Sequence, residues 1–223
     1  MDSILRLNEF FVEGGKQDLS HVLLHITEPS TSEEAAKGYF FALCEVNNAE
    51  PTFIKKLQEM IDRAENEYYE IGVDAEKDSF EAVLEKLNGE AFSLEKSEGD
   101  LHCIVGAIRP GEIIFSYFGK PYLLLFYKNR HGNYEKIDLI RGNGEAGGGA
   151  NEDGLFSEII QGKLSPHDYL FAGTPHLIDF FSHDRLEKII TTRSAQQSAQ
   201  HLEKVLGELK NGYSFGGLII NLF

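Results

Sequence analysis

The chain has 223 residues, and 36 Asp and Glu stand against 21 Lys and Arg, for a formal charge of −15 and a pI near 4.9. This balance argues against nucleic acid, whose phosphates are bound through clustered Lys and Arg, and against anionic membrane surfaces. It favours solubility and a basic partner. The length suits one large domain, 1–223, with a real core and no visible linker.

Cys44 and Cys103 both lie in apolar, strand-like runs. That predicts small buried thiols in a reducing, cytoplasmic compartment rather than a disulfide. No basic stretch followed by an apolar one opens the chain, so no secretory signal is read. The longest apolar run, Tyr122 to Tyr127, falls far short of the about 20 residues a membrane span needs. The apolar ending, Leu218 to Phe223, has no polar tail and suits a domain cut from a longer protein.

In chain order, strands are predicted at Ile4 to Val12, His21 to Thr27 and Gly38 to Val46, with polar turns at 13–16 and 29–37. A long helix begins at Pro51 and places Phe53, Leu57, Met60, Ile61 and Ala64 on one stripe. A second helix starts at Asp78, with Glu81 completing a capping box, and buries Phe80, Val83, Leu84, Leu87 and Ala91. Strands follow at Leu101 to Ile108, Glu112 to Phe118 and Tyr122 to Tyr127. Their hairpin-length turns predict antiparallel neighbours. A further strand, Tyr134 to Ile140, leads into a Gly-rich acidic loop at 142–154. Short helices are expected at Leu155 to Gln161 and Asp184 to Ile190.

Between those helices, Asp168 to Asp179 reads as a buried strand that stops at Gly173-Thr174-Pro175 and turns into a short helical segment. The last helix has Ser194 as N-cap and a stripe of Ala195, Ala199, Leu202, Leu206 and Leu209, with Gly212 past its end. One strand finishes the chain. Clustered strands and paired helices, without βαβ alternation, define an α+β class.

The motifs carry little chemistry alone. Gly142-Asn143-Gly144-Glu145-Ala146-Gly147 has dinucleotide spacing, but no helix starts inside it and Glu145, Glu152 and Asp153 would repel a pyrophosphate. A loop is the simpler reading. His21 and His25 share a strand face without a third ligand, which favours packing or surface roles. His176, Asp179 and His183 have the spacing for one face of a helix and a divalent metal, while Phe180 and Phe181 in the same segment favour docking on the core. No serine sits in a nucleophile elbow. Glu33-Glu34 reads as a solvated loop.

Taken together, the element order and several phrases resemble the metal-dependent serine/threonine protein phosphatases of type 2C over nearly the whole chain. Gly38 to Val46 resembles the strand that ends in Asp-Gly in that family. Leu84 to Asn88 resembles its second helix. Gly111 to Gly119 followed by Tyr122 to Tyr127 resembles the strands joined around Gly-Asp-Ser. His167 to Leu170 and Leu177 to Asp179 flank the place of Ser-Asp-Gly, and Ser214 to Ile220 stands where the final Asp-Asn and last strand belong.

The resemblance implies a four-layer α-β-β-α sandwich of two antiparallel sheets flanked by helices. It also implies two Mg²⁺ or Mn²⁺ ions held by aspartates, with a bridging water as nucleophile. A pair of divalent ions roughly 4 Å apart needs several hard oxygen ligands. Here the first slot holds Glu45-Val46, the second Pro175-His176 and the third Ser214-Phe215, and no counterpart of the phosphate-binding Arg stands near Glu13 to Asp18. The expectation is therefore a catalytically inactive, pseudophosphatase-like domain without catalytic residues or cofactor, serving a protein partner or other domains of a longer chain. The alternative is a divergent phosphatase with Mg²⁺ or Mn²⁺ on a site rebuilt from Glu45 with His176, Asp179 or Asp168.

Overall fold

The computed structural model describes residues 5–15, 19–71, 78–95, 100–109, 112–140, 156, 159–209 and 212–222. Ten strands and five α-helices are described, in the order β1 (Leu5–Val12), β2 (Ser20–Thr27), α1 (Ser32–Lys37), β3 (Tyr39–Asn47), α2 (Pro51–Glu70), α3 (Ser79–Glu95), β4 (Asp100–Arg109), β5 (Glu112–Phe118), β6 (Tyr122–Lys128), β7 (Tyr134–Asp138), β8 (Ile160–Gly162), β9 (Tyr169–Gly173), α4 (His183–Thr191), α5 (Ala195–Gly207) and β10 (Phe215–Leu222). A 3-10 helix, Pro175–Asp179, joins β9 to α4. Two five-stranded antiparallel sheets result, ordered β1-β10-β9-β6-β7 and β2-β3-β4-β5-β8.

The chain divides into two compact units, one around each sheet, with the boundary at Val22 and Leu23 inside β2. In the unit built on β3, β4 and β5, α2 lays Phe53, Leu57, Met60, Ile61, Ala64 and Tyr68 against Phe40, Ala42, Cys44 and Val46 of β3. Alternate residues of a strand share a face, so the even positions of β3 meet the helices and the odd ones, Phe41, Leu43 and Glu45, face away. Each large apolar side chain in the stripe contributes about 2 kcal/mol by leaving water. In the other unit, α4 and α5 bring Leu186, Ile189, Ile190, Ala199, Leu202 and Leu206 onto Phe10, Phe171, Phe215 and Ile219. Both helices start on a serine cap: Ser182 accepts from Arg185 N, and Ser194 forms a reciprocal box with Gln197.

The antiparallel, helix-flanked α+β expectation therefore holds, and several local expectations do not. The polar turn at 29–37 contains a helix, α1, set by a capping box between Thr31 and Glu34. Ile160 and Gln161, expected to end a helix, form β8 against β5. β5 and β6 are not hairpin partners: β6 pairs with β7 and β9 in the other sheet, after Gly119 turns the chain at φ +73. Loop 142–154, its dinucleotide-like glycines and the Ala91 side chain lie outside the described residues.

Cys44 and Cys103 are buried as expected but bonded to each other, because β3 and β4 place them directly opposite with Cα atoms 4.0 Å apart. The expectation of free thiols is corrected accordingly.

Candidate functional site

The three positions marked by the family comparison fall in two places. Glu45 lies near the end of β3 with His102 of β4 as its cross-strand neighbour, and it is 1 % exposed. His102 is half-buried, with Nε2 3.5 Å from Asp100 Oδ2. Val46 points the other way, into the apolar layer under α2. Asn47 follows on the face of Glu45, its Oδ1 buried without a hydrogen-bond partner among the described residues.

The other two positions meet at the paired ends of β9 and β10. Gly173 is opposite Gly217, and the chain beyond it stays bound to β10: Thr174 N donates to Gly216 O at 3.0 Å, and Gly216 N donates back to Thr174 Oγ1 at 3.3 Å. Pro175 opens the 3-10 helix, where its missing N–H costs nothing. His176 stacks on Tyr213 with ring centroids 4.1 Å apart.

Ser214 is buried, and its Oγ accepts from Gly14 N at 2.9 Å, while its own N–H donates to Ser20 Oγ at 3.0 Å. A Cβ on Gly14 would stand 2.8 Å from Gly212 O, so the 13–15 turn presses onto the backbone before Ser214. Phe215 is buried and meets Phe180 edge to face. The hydroxyl oxygens of Thr174 and Ser214 thus each accept from a backbone amide.

The remaining candidates serve the frame. Asp168 Oδ2 accepts from Ser165 N at 2.9 Å and closes the turn before β9. Tyr134 donates to His167 O next to it, and burial pushes that phenol up to about 12. His176, Asp179 and His183 do not share a helix. Asp179 ends the 3-10 segment, exposed, and His183 begins α4 with its ring against Tyr122 at 5.2 Å. The intervening Ser182 cap breaks the periodicity that spacing implied.

His25 lies between Glu65 Oε2, 2.6 Å from Nε2, and Asp62 Oδ1, 3.9 Å from Nδ1. Opposite ring nitrogens face the two carboxylates, so this is a strand-to-helix tie rather than a chelate. Among the described residues no three His, Cys, Asp or Glu side chains gather in a way that would hold a metal ion. Nor does the donor chemistry at the three positions suit two divalent ions: one carboxylate, a proline, a stacked imidazole and an engaged hydroxyl.

No family model and no curated protein matches the sequence. Solved structures do. The chain is similar to a serine/threonine phosphatase of S. agalactiae at 12 % identity and a TM-score of 0.67, covering 98 % of this chain and 99 % of that one. It is similar to PppA, a regulatory component of T6SS in Pseudomonas aeruginosa, at 15 % identity and 0.63, covering 99 % and 100 %. The catalytic domain of the serine/threonine phosphatase PstP, solved with two manganese ions, gives 10 % identity and 0.63, covering 99 % of each chain. The fold of this chain is that of the type 2C serine/threonine phosphatases.

Proposed function

We propose that residues 1–223 form a single type 2C-like domain that has given up hydrolysis and acts by binding, as a pseudophosphatase, toward a protein partner or other domains of a longer chain. The observation that carries this reading is the use of Ser214 and Thr174. Where the family offers metal-binding aspartates, Pro175 has no ligand atom in its side chain and the Ser214 Oγ accepts a hydrogen bond from Gly14 N, while the Thr174 hydroxyl beside Pro175 accepts from Gly216 N. No cofactor is expected. Full-length coverage of the similar structures supports treating the whole chain as one such domain.

Thermal unfolding with and without millimolar Mn²⁺ or Mg²⁺, paired with hydrolysis of a phosphoserine peptide, tests the reading. The expected result is no metal-dependent shift and no turnover. A rise in melting temperature matched by hydrolysis overturns it. One observation favours a second reading, that of a divergent metal-dependent phosphatase: Glu45, a carboxylate, is retained and buried at the first position. In that case Glu45→Ala abolishes the turnover, and a variant that keeps turnover removes Glu45 from any mechanism.

A further inference from the structure

The strand ends that lack metal-binding aspartates carry a different chemistry. Past β9, the 3-10 helix buries Leu177 and leaves Ile178 40 % exposed. With about three residues per turn, His176 and Asp179 lie on the same side of that helix. Before β10, Tyr213 is half-buried and stacks on His176, with ring centroids 4.1 Å apart and 26° between the planes. Phe180, also half-buried, meets Phe215 edge to face at 5.3 Å. After β1, the 13–15 turn presses onto the same stretch: Gly14 N donates to Ser214 Oγ at 2.9 Å, and a Cβ on Gly14 would stand 3.0 Å from the Tyr213 carbonyl carbon.

Two carboxylates accompany the stacked pair. Glu13 rides on the turn held to Ser214, and Asp179 shares the side of His176. Both are exposed, and among the described residues neither makes an ion pair or a side-chain hydrogen bond. The stretches 12–15, 174–180 and 212–216 contain no Lys or Arg that would neutralise them. The first such side chain to follow, Arg185 of α4, lies over the Phe181 ring, 5.0 Å from its centre.

We propose that this surface docks a basic, arginine-bearing segment of a partner protein, the guanidinium lying against the His176–Tyr213 pair and taken by Asp179 and Glu13, with Ile178 beside the apolar part of the segment. The proposal rests on the binding role given above and names the partner's chemistry. A guanidinium is planar and weakly hydrated, so it stacks on an aromatic ring while offering its fork to carboxylates. A lysine ammonium does only the second. Tyr and Arg are also the side chains that dominate the centres of protein interfaces. Charge selects the occupant: nucleic acid, an anionic bilayer or a second copy of a −15 chain meets repulsion here, whereas a basic segment is drawn in.

The test is fluorescence anisotropy on the whole chain with one short labelled peptide in arginine, lysine and glutamine forms, at about 50 mM salt. The arginine form is expected to bind at least about tenfold more tightly than the glutamine form and about threefold more tightly than the lysine form. Both preferences disappear in Tyr213→Ala/Asp179→Asn and survive in Glu33→Gln, an exposed carboxylate on α1 in the other unit. The arginine peptide also shifts the His176 ring resonances in NMR spectra and leaves those of His131, in the β6–β7 turn, in place. Equal binding of the arginine and glutamine forms overturns the proposal, and equal binding of the arginine and lysine forms removes the stacked pair from recognition and overturns it as well. A loss in Glu33→Gln as large as in the double variant is the mark of attraction to overall charge and has the same force. Tighter binding of RNA or of a phosphopeptide than of the arginine peptide also overturns it. If circular dichroism shows the double variant unfolded, Asp179→Asn alone and the His176 shift decide. Turnover of a phosphoserine peptide would overturn the absence of hydrolysis and leave the docking standing, whereas loss of the arginine preference would do the reverse.

Discussion

Gly38 joins α1 to β3 at φ 78 and ψ −160, a region open to glycine almost alone. A Cβ there would also run into the backbone carbonyl of Ile108 on β4. Gly38→Ala is therefore expected to lose about 3 kcal/mol or more in urea unfolding. Asn221 makes the opposite case. It is 0 % exposed in β10, and neither end of its amide finds a hydrogen-bond partner among the described residues. An unsatisfied buried amide costs about 1–3 kcal/mol, so Asn221→Leu should raise stability by an amount in that range, read from the same denaturant curves. Asp78 supplies a pH dependence. The paired Arg109 guanidinium, hydrogen-bonded at 2.6 and 2.9 Å, lowers its carboxyl below the ordinary value, and Asp78 also accepts from Phe80 N at the start of α3. A carboxylate depressed in the folded state stabilises above its unfolded pKa, and that contribution is lost as pH falls through the folded value. The pair is partly open to solvent, which limits it to about 1 kcal/mol. Asp78→Asn should lower stability at pH 7 and flatten the acid limb below about pH 4.

At the scale of elements, β3 and β4 are tied twice, by their ladder and by the Cys44–Cys103 bond across 59 residues of sequence. Closing a loop of that length removes about 4 kcal/mol of chain entropy from the unfolded state. Cys44→Ala/Cys103→Ala, or full reduction of the unfolded chain before refolding, is expected to lower stability by up to that amount. A midpoint insensitive to reductant, with both thiols labelled, would remove the bond from the account. The sequence missed this bond for an identifiable reason. Apolar runs locate both cysteines on strands, but only register shows that they face each other. Register also hides which strands share a sheet, so Gly119-Lys120-Pro121 reads as a hairpin when it hands the chain from one sheet to the other. Helices with a stripe and a cap were legible, as α2 and α5 show, because their signal lies within one segment. β8, three residues long, carries no period at all. The 174–176 and 214–215 positions were found by family pattern, but the use of the hydroxyls of Thr174 and Ser214 was not, since their amide partners lie 42 and 200 residues away.

Across the whole molecule, the excess of acidic side chains works against the compact state. With 36 acidic against 21 basic side chains, the compact state concentrates like charge that the unfolded chain spreads out. Partly buried pairs such as Asp78–Arg109 feel salt little, whereas repulsion between exposed carboxylates is screened within about 10 Å at 0.1 M. Raising sodium chloride from about 10 to 150 mM should therefore raise the melting temperature. A fall would mean that surface ion pairs such as Lys136 with Asp184 outweigh the excess of acid.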